Sequence, residues 1–220
     1  VAGGGGVWGG VGGGEPVGGV AAAGRAGGAA LKVDANLAVA VTAQGMVALF
    51  GHQDYLSAQQ SFRSAIRLDS TRYEPWLYQA WAYVGRGLLD SAVFSMRRAY
   101  QIDPVEPIVT ARLSTVLLLR GDTTEALQRI NELLSRDPLN LLGHSVRLEV
   151  YNATGPGHCD AALREVGSAE LSATRNGLYR ALVVYPLARC GMRGRAVPLA
   201  EVLRRAAPPS AGSSATQPAP

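Results

Sequence analysis

The 220-residue chain has little of what usually announces chemistry. It holds two cysteines, Cys159 and Cys190, and three histidines, His52, His144 and His158. None of these stands at metal-ligand spacing from another His, Cys or Glu, so a zinc cluster is excluded. No Gly-x-Ser-x-Gly elbow is present, and no Gly-Lys-Ser/Thr follows the glycines as a phosphate-cradling loop requires. Aromatic residues make up only 6% of the chain, and the arginines are not interleaved with them as a base-stacking surface would need. These absences lead us to expect no catalysis, no metal, no cofactor and no nucleic-acid partner. Nor is there a run of about 20 apolar residues that would span a bilayer as a helix. Lysine is nearly missing: Lys32 stands alone against 20 arginines, a bias of GC-rich bacterial genomes.

What is present is a period. Asp69, Asp103 and Asp137 recur at one constant interval, and the same interval separates Ala58, Ala92 and Ala126, and Gly87, Gly121 and Gly155. Several registers sharing one period, here about 34 residues, signify a stacked repeat. Apolar residues reach 47%, with Ala and Leu prominent, which suits helix packing better than sheet packing.

The chain divides into three. Residues 1–35 form a Gly-rich N-terminal tether, with 14 of the 27 glycines in the first 28 positions. Its one bulky residue, Trp8, either anchors the tether at a membrane interface or partner pocket, or is simply exposed. The first residue is not Met, so Val1 is not expected to be the translated start, which leaves room for a signal peptide or anchor upstream. Residues 36–206 form the helical array, and the Ala/Pro/Ser-rich 207–220 reads as a tail. Within the array the helices are expected at 36–50 with 54–68, 73–86 with 89–102, 107–120 with 123–136, 140–153 with 158–168, and 176–190 with 194–206. Short helices with shorter connections must run antiparallel to their neighbours. Pro104 and Pro138 sit where a new repeat begins, because proline cannot continue the preceding helix.

Trp76, Ala80, Tyr83, Gly87, Ala92, Ala99 and Pro104 in the second pair resemble the tetratricopeptide-repeat consensus. The third pair matches at Leu113, Leu117, Gly121, Ala126, Leu133 and Pro138, and the first at Leu49, Tyr55, Ala58, Phe62 and Ala65. The resemblance is specific over residues 39–140. The fourth pair carries Pro156-Gly157 in its turn, so Ala161 falls one residue late, and the fifth has Pro186 inside its first helix. The resemblance implies an all-α, right-handed solenoid of about five antiparallel helix pairs, the last two degenerate. It also implies a concave groove lined by the first helices, comprising here Val47, Phe50, Leu77, Trp81, Val84, Arg112, Thr115 and Leu118. Trp81 is either an anchor for a partner or part of its own array's core. The family's carboxylate clamp would fall on Ala43, Val47, Tyr78, Ile108 and Arg112. Only Arg112 fits, so an apolar helix or extended segment is the expected ligand.

Cys159 opens one helix and Cys190 ends another in the antiparallel stack, so a disulfide is geometrically open to them; two buried free thiols are the alternative. Charge is uneven: residues up to 140 balance at 12 basic and 12 acidic, whereas from Leu141 there are 9 basic against 5 acidic. Such an end suits an anionic membrane, an acidic partner, or merely a solvated face. The function expected is a protein–protein interaction scaffold or accessory subunit in a bacterial envelope complex, on the periplasmic side, with membrane contact through the tether. The alternatives are a soluble cytoplasmic adaptor or co-chaperone, and the regulatory part of an enzyme whose catalytic domain lies elsewhere.

Overall fold

The recurrent aspartates end helices. Asp69, Asp103 and Asp137 each close the second helix of a pair, donating their backbone N–H to Ala65, Ala99 and Leu133 carbonyls at 2.9, 3.1 and 2.9 Å. Their carboxylates then catch the start of the next repeat. Asp69 Oδ1 accepts from Thr71 N, Asp103 Oδ1 from Val105 N and Glu106 N, and Asp137 Oδ2 from Asn140 Nδ2. At Asp69 and Asp103 these bonds satisfy orphan backbone donors of the loop, whereas Asp137 holds the Asn140 side chain that itself accepts from Gly143 N in the next helix.

The computed structural model describes residues 37–154, 156–170 and 177–206. The tether 1–35 with Trp8, the tail 207–220 and Gly155 lie outside the described residues. Among the described residues there are ten α-helices and no strand: α1 (Ala38–Met46), α2 (Tyr55–Leu68), α3 (Tyr73–Gly85), α4 (Leu89–Ile102), α5 (Pro107–Arg120), α6 (Thr123–Arg136), α7 (Leu141–Ala153), α8 (Cys159–Glu170), α9 (Gly177–Arg189) and α10 (Arg193–Ala206). They pack as consecutive antiparallel pairs in an all-α solenoid, as the period predicts.

Turns inside the pairs use glycine for a stated reason. Gly87, Gly121 and Gly191 hold φ of 73°, 100° and 79°, a region closed to most side chains. The following residues, Leu88, Asp122 and Met192, then donate back to Tyr83, Leu117 and Leu187 carbonyls, completing a Schellman closure. The first repeat differs. Gln53 stands one full period before Gly87 and takes φ 54° without being glycine. There α1 runs on into a π-helical turn, Val47–Gly51, before the chain reverses.

Small residues let each pair close up. Ala58, Ala92 and Ala126 are fully buried, and Phe62, Met96 and Ile130 fill the space between pairs, also fully buried. In the fourth pair the structure corrects the sequence register. Ala161 is only half-buried, and the packing position belongs to Ala162, at 3% exposure. A 3₁₀ turn, Pro156–His158, precedes α8 and adds two residues rather than one. After that insertion the period resumes, for Ala196 lies one full period beyond Ala162 and is equally buried. Leu148, Ala162, Val166, Val183, Leu187 and Ala196 form one cluster, so the last two pairs share a core despite Pro186 within α9.

Candidate partner-binding groove

First helices of successive pairs touch one another, α1 with α3, α3 with α5, α5 with α7 and α7 with α9, whereas second helices do not meet comparably. The first helices therefore occupy the inner side of the array. Residues at the same repeat position form rows along that side. One row is Val47, Trp81, Thr115 and Glu149; a parallel one is Phe50, Val84 and Leu118.

The rows are aromatic and aliphatic in the first two repeats. Phe50 is 49% exposed and meets Tyr78 edge-on at 6.0 Å between centroids. Tyr78 in turn stacks on the buried Phe62 at 6.0 Å. Val47, Trp81, Val84, Thr115 and Leu118 are half-buried, leaving part of each side chain open. Trp81 packs against the core while it holds the Arg112 guanidinium 5.9 Å from its ring centroid. Leu77 and Arg112, by contrast, belong to the floor, at 5% and 8% exposure.

Charge enters at the third and fourth repeats. Burial pushes the Glu149 carboxyl above its ordinary value, and the attraction of Arg112 pulls it partly back. Burial likewise lowers Arg112 from its ordinary value, with Glu149 and Tyr78 opposing the shift. Tyr78 is raised, first by burial and then by Glu74, with Arg112 opposing. Two partly desolvated opposite charges thus continue the inner side beyond the apolar rows, each stabilising the charged form of the other. Glu149 was absent from the expected groove although it stands one repeat beyond Thr115; extending the row by that step would have found it. The position after Glu149 falls on Tyr185, which is 53% exposed, once the two inserted residues are counted.

One further feature escaped the sequence. Glu165 is 3% exposed and accepts from Arg147 Nε at 2.7 Å, with His144 Nδ1 at 2.5 Å. His144 Nε2 lies 2.8 Å from the Pro138 carbonyl, which only accepts, so that nitrogen donates. Arg147 also donates to Asn131 Oδ1 at 3.2 Å. This network ties α6, α7 and α8 together, and no local spacing signals it. Nearby, Cys159 and Cys190 are joined as a disulfide with Cα atoms 5.6 Å apart, fastening the start of α8 to the end of α9. Among the described residues no group of three or more His, Cys, Asp and Glu is placed to hold a metal ion.

The sequence matches no known family profile and no curated protein. Solved structures do match. Pseudomonas aeruginosa pilF superposes with a TM-score of 0.66 at 17% identity, over 88% of this chain and 86% of that one. PilW, described as a widely conserved type IV pilus biogenesis factor, gives 0.66 at 19% identity over 76% of each chain. YrrB, described as a TPR protein with an unusual peptide-binding site, gives 0.56 at 14% identity over 84% of this chain and 94% of that one. At such identities the likeness speaks for the fold, and the fold of this chain is the tetratricopeptide-repeat solenoid.

Proposed function

We propose that this chain is a non-enzymatic scaffold or accessory subunit that holds an apolar helical or extended segment of a partner protein in its groove, within a complex of the bacterial envelope. The observation carrying the proposal is the row of aromatic and aliphatic side chains on the π-helical turn after α1 and on α3 and α5, with the ring of Phe50 half in solvent. A monomeric array has no internal need for such a stripe on its inner side, whereas partner segments are read through buried anchors of this kind. PilW supports the envelope setting as a pilus biogenesis factor of the same fold, and YrrB supports peptide binding on it. The Cys159–Cys190 bond suits an oxidising compartment such as the periplasm.

Photo-crosslinking from position 50 in native membranes, with the crosslinked chains identified, tests the reading. Trp81→Ala is expected to weaken capture of those chains roughly 30-fold, the loss of an anchor worth about 2 kcal/mol, with helicity unchanged. If Trp81→Ala instead abolishes cooperative unfolding, the indole is core and the groove loses its anchor. If crosslinks at position 50 report only solvent, the groove reading fails.

A further inference from the structure

The positive charge of the molecule gathers at one end of the solenoid. Residues 185–205 carry five arginines, at 189, 193, 195, 204 and 205, against a single carboxylate, Glu201. That surplus of four equals the formal net charge of the whole chain, +4, so the remainder is balanced. Four of the five arginines lie on α10, the last helix among the described residues.

α10 has two unlike sides. Ala196 and Leu199 turn inward onto the cluster of Leu148, Val166 and Leu187. On the outward side Arg193, Val197, Glu201, Arg204 and Arg205 recur at three- and four-residue steps and so share one face. Val197 is 59% exposed and Val202 46%, with Met192 at 37% just before the helix. Glu201 is shared, lying 3.2 Å from Arg204 Nη2 and 4.0 Å from Arg205 Nε. One carboxylate cannot neutralise both, and their side chains remain 73% and 78% exposed.

We propose that α10 adsorbs this end of the solenoid onto an anionic lipid bilayer. Arginines set among exposed valines match a surface that offers phosphate anions and hydrocarbon together. A nucleic-acid backbone offers the anions alone, and the outward face of a single helix has no cleft to enclose a peptide. The contact is adsorption and not insertion. α10 is 14 residues long and its inner face stays in the core. Among the described residues no helix is long and apolar enough to cross a membrane. The expected groove residues lie on the π-helical turn after α1 and on α3 and α5, so adsorption through α10 leaves them open to a partner. This inference stands whether or not the groove binds as proposed.

Co-sedimentation of the full chain with vesicles tests it. Vesicles containing phosphatidylglycerol are expected to retain the protein at low salt and release it at high salt, while pure phosphatidylcholine vesicles do not retain it. Each arginine near such a surface contributes about fivefold, so R193Q/R204Q/R205Q should bind roughly a hundredfold more weakly. The corresponding triple lysine variant should restore binding, since adsorption needs charge and not a guanidinium; this pair of variants also separates lost contact from lost folding. Absence of wild-type binding to phosphatidylglycerol vesicles would overturn the proposal. So would equal binding to phosphatidylcholine, an undiminished glutamine variant, or retention by oligothymidylate as strong as by the vesicles.

Discussion

Removing the Cys159–Cys190 bond, by Cys159→Ser with Cys190→Ser, should cost a defined amount in a defined place. The bond closes a loop of 31 residues. Chain-entropy loss in the unfolded state for that length amounts to about 3.7 kcal/mol at 25 °C. The whole of a typical domain's stability is roughly 5–15 kcal/mol, so the effect is large. It should also be local, because in a repeat array each pair depends mainly on its neighbours. The closed loop runs through α8 and α9, whose cluster of Ala162, Val166, Val183 and Leu187 it helps hold to α7 and α10. Native-state hydrogen exchange across urea, on wild type and the double variant, reads both quantities. We expect α8–α10 to open at a free energy lower by about 3–4 kcal/mol and α1–α5 to be almost unaffected. A loss below about 1 kcal/mol, or one spread evenly over all helices, would refute the reasoning. Two thiols alkylatable in the native, unreduced protein would refute its premise.

Two other perturbations probe the first repeat and the groove. Gln53→Gly should stabilise the protein by about 0.5–1 kcal/mol in urea melts, since relief of a left-handed conformation outweighs the greater unfolded-state freedom of glycine; a destabilised variant would show that the Gln53 side chain makes a contact of its own. The Glu149 carboxyl is held above its ordinary value of 4.5, so the folded state binds this proton more tightly than the unfolded state. Its contribution is full below pH 4.5 and is lost as pH rises through the folded value; Glu149→Gln should therefore flatten the pH dependence of the urea midpoint over that interval, and identical profiles for both proteins would contradict it.

Periodicity made the architecture legible because the repeat is a packing rule written in residue size. Ala58, Ala92 and Ala126 mark close helix approach, and Phe62, Met96 and Ile130 mark the filled space, wherever the chain keeps its common register. The same rule misled at α8. Pro156-Gly157 pointed to a widened turn, yet nothing in the local sequence said whether Ala161 or Ala162 would turn inward, and burial falls on Ala162. Repeat-equivalent positions on the first helices were legible as rows, but their depth was not. Phe50 and Val84 hold equivalent repeat positions, yet Phe50 is exposed and Val84 half-buried, and Phe50 lies in the π-helical turn Val47–Gly51. The His144–Glu165–Arg147 network was invisible because its partners join across 21 and 18 residues without a repeating counterpart.

That network, the disulfide and the inserted 3₁₀ turn all lie in the same part of the molecule. Through the third repeat the pairs follow the shared packing rule, joined by partly exposed polar contacts such as Arg97–Glu125 and Arg86–Gln59. The insertion at Pro156–His158 breaks that rule, because α8 must approach α7 from a turn two residues longer. A nearly fully buried carboxylate and a disulfide appear at this point. Glu165 on α8 reaches His144 and Arg147 on α7, and Cys159 at the head of α8 binds Cys190 beyond α9. A buried carboxylate with two cationic or donor partners fixes geometry more than it adds stability, since its desolvation offsets much of the attraction. The disulfide acts in the opposite way, limiting the unfolded chain and leaving the folded contacts as they are. The ionic contact and the covalent one thus act at the same altered junction by different physical means. The first helices, by contrast, keep the common period through α7.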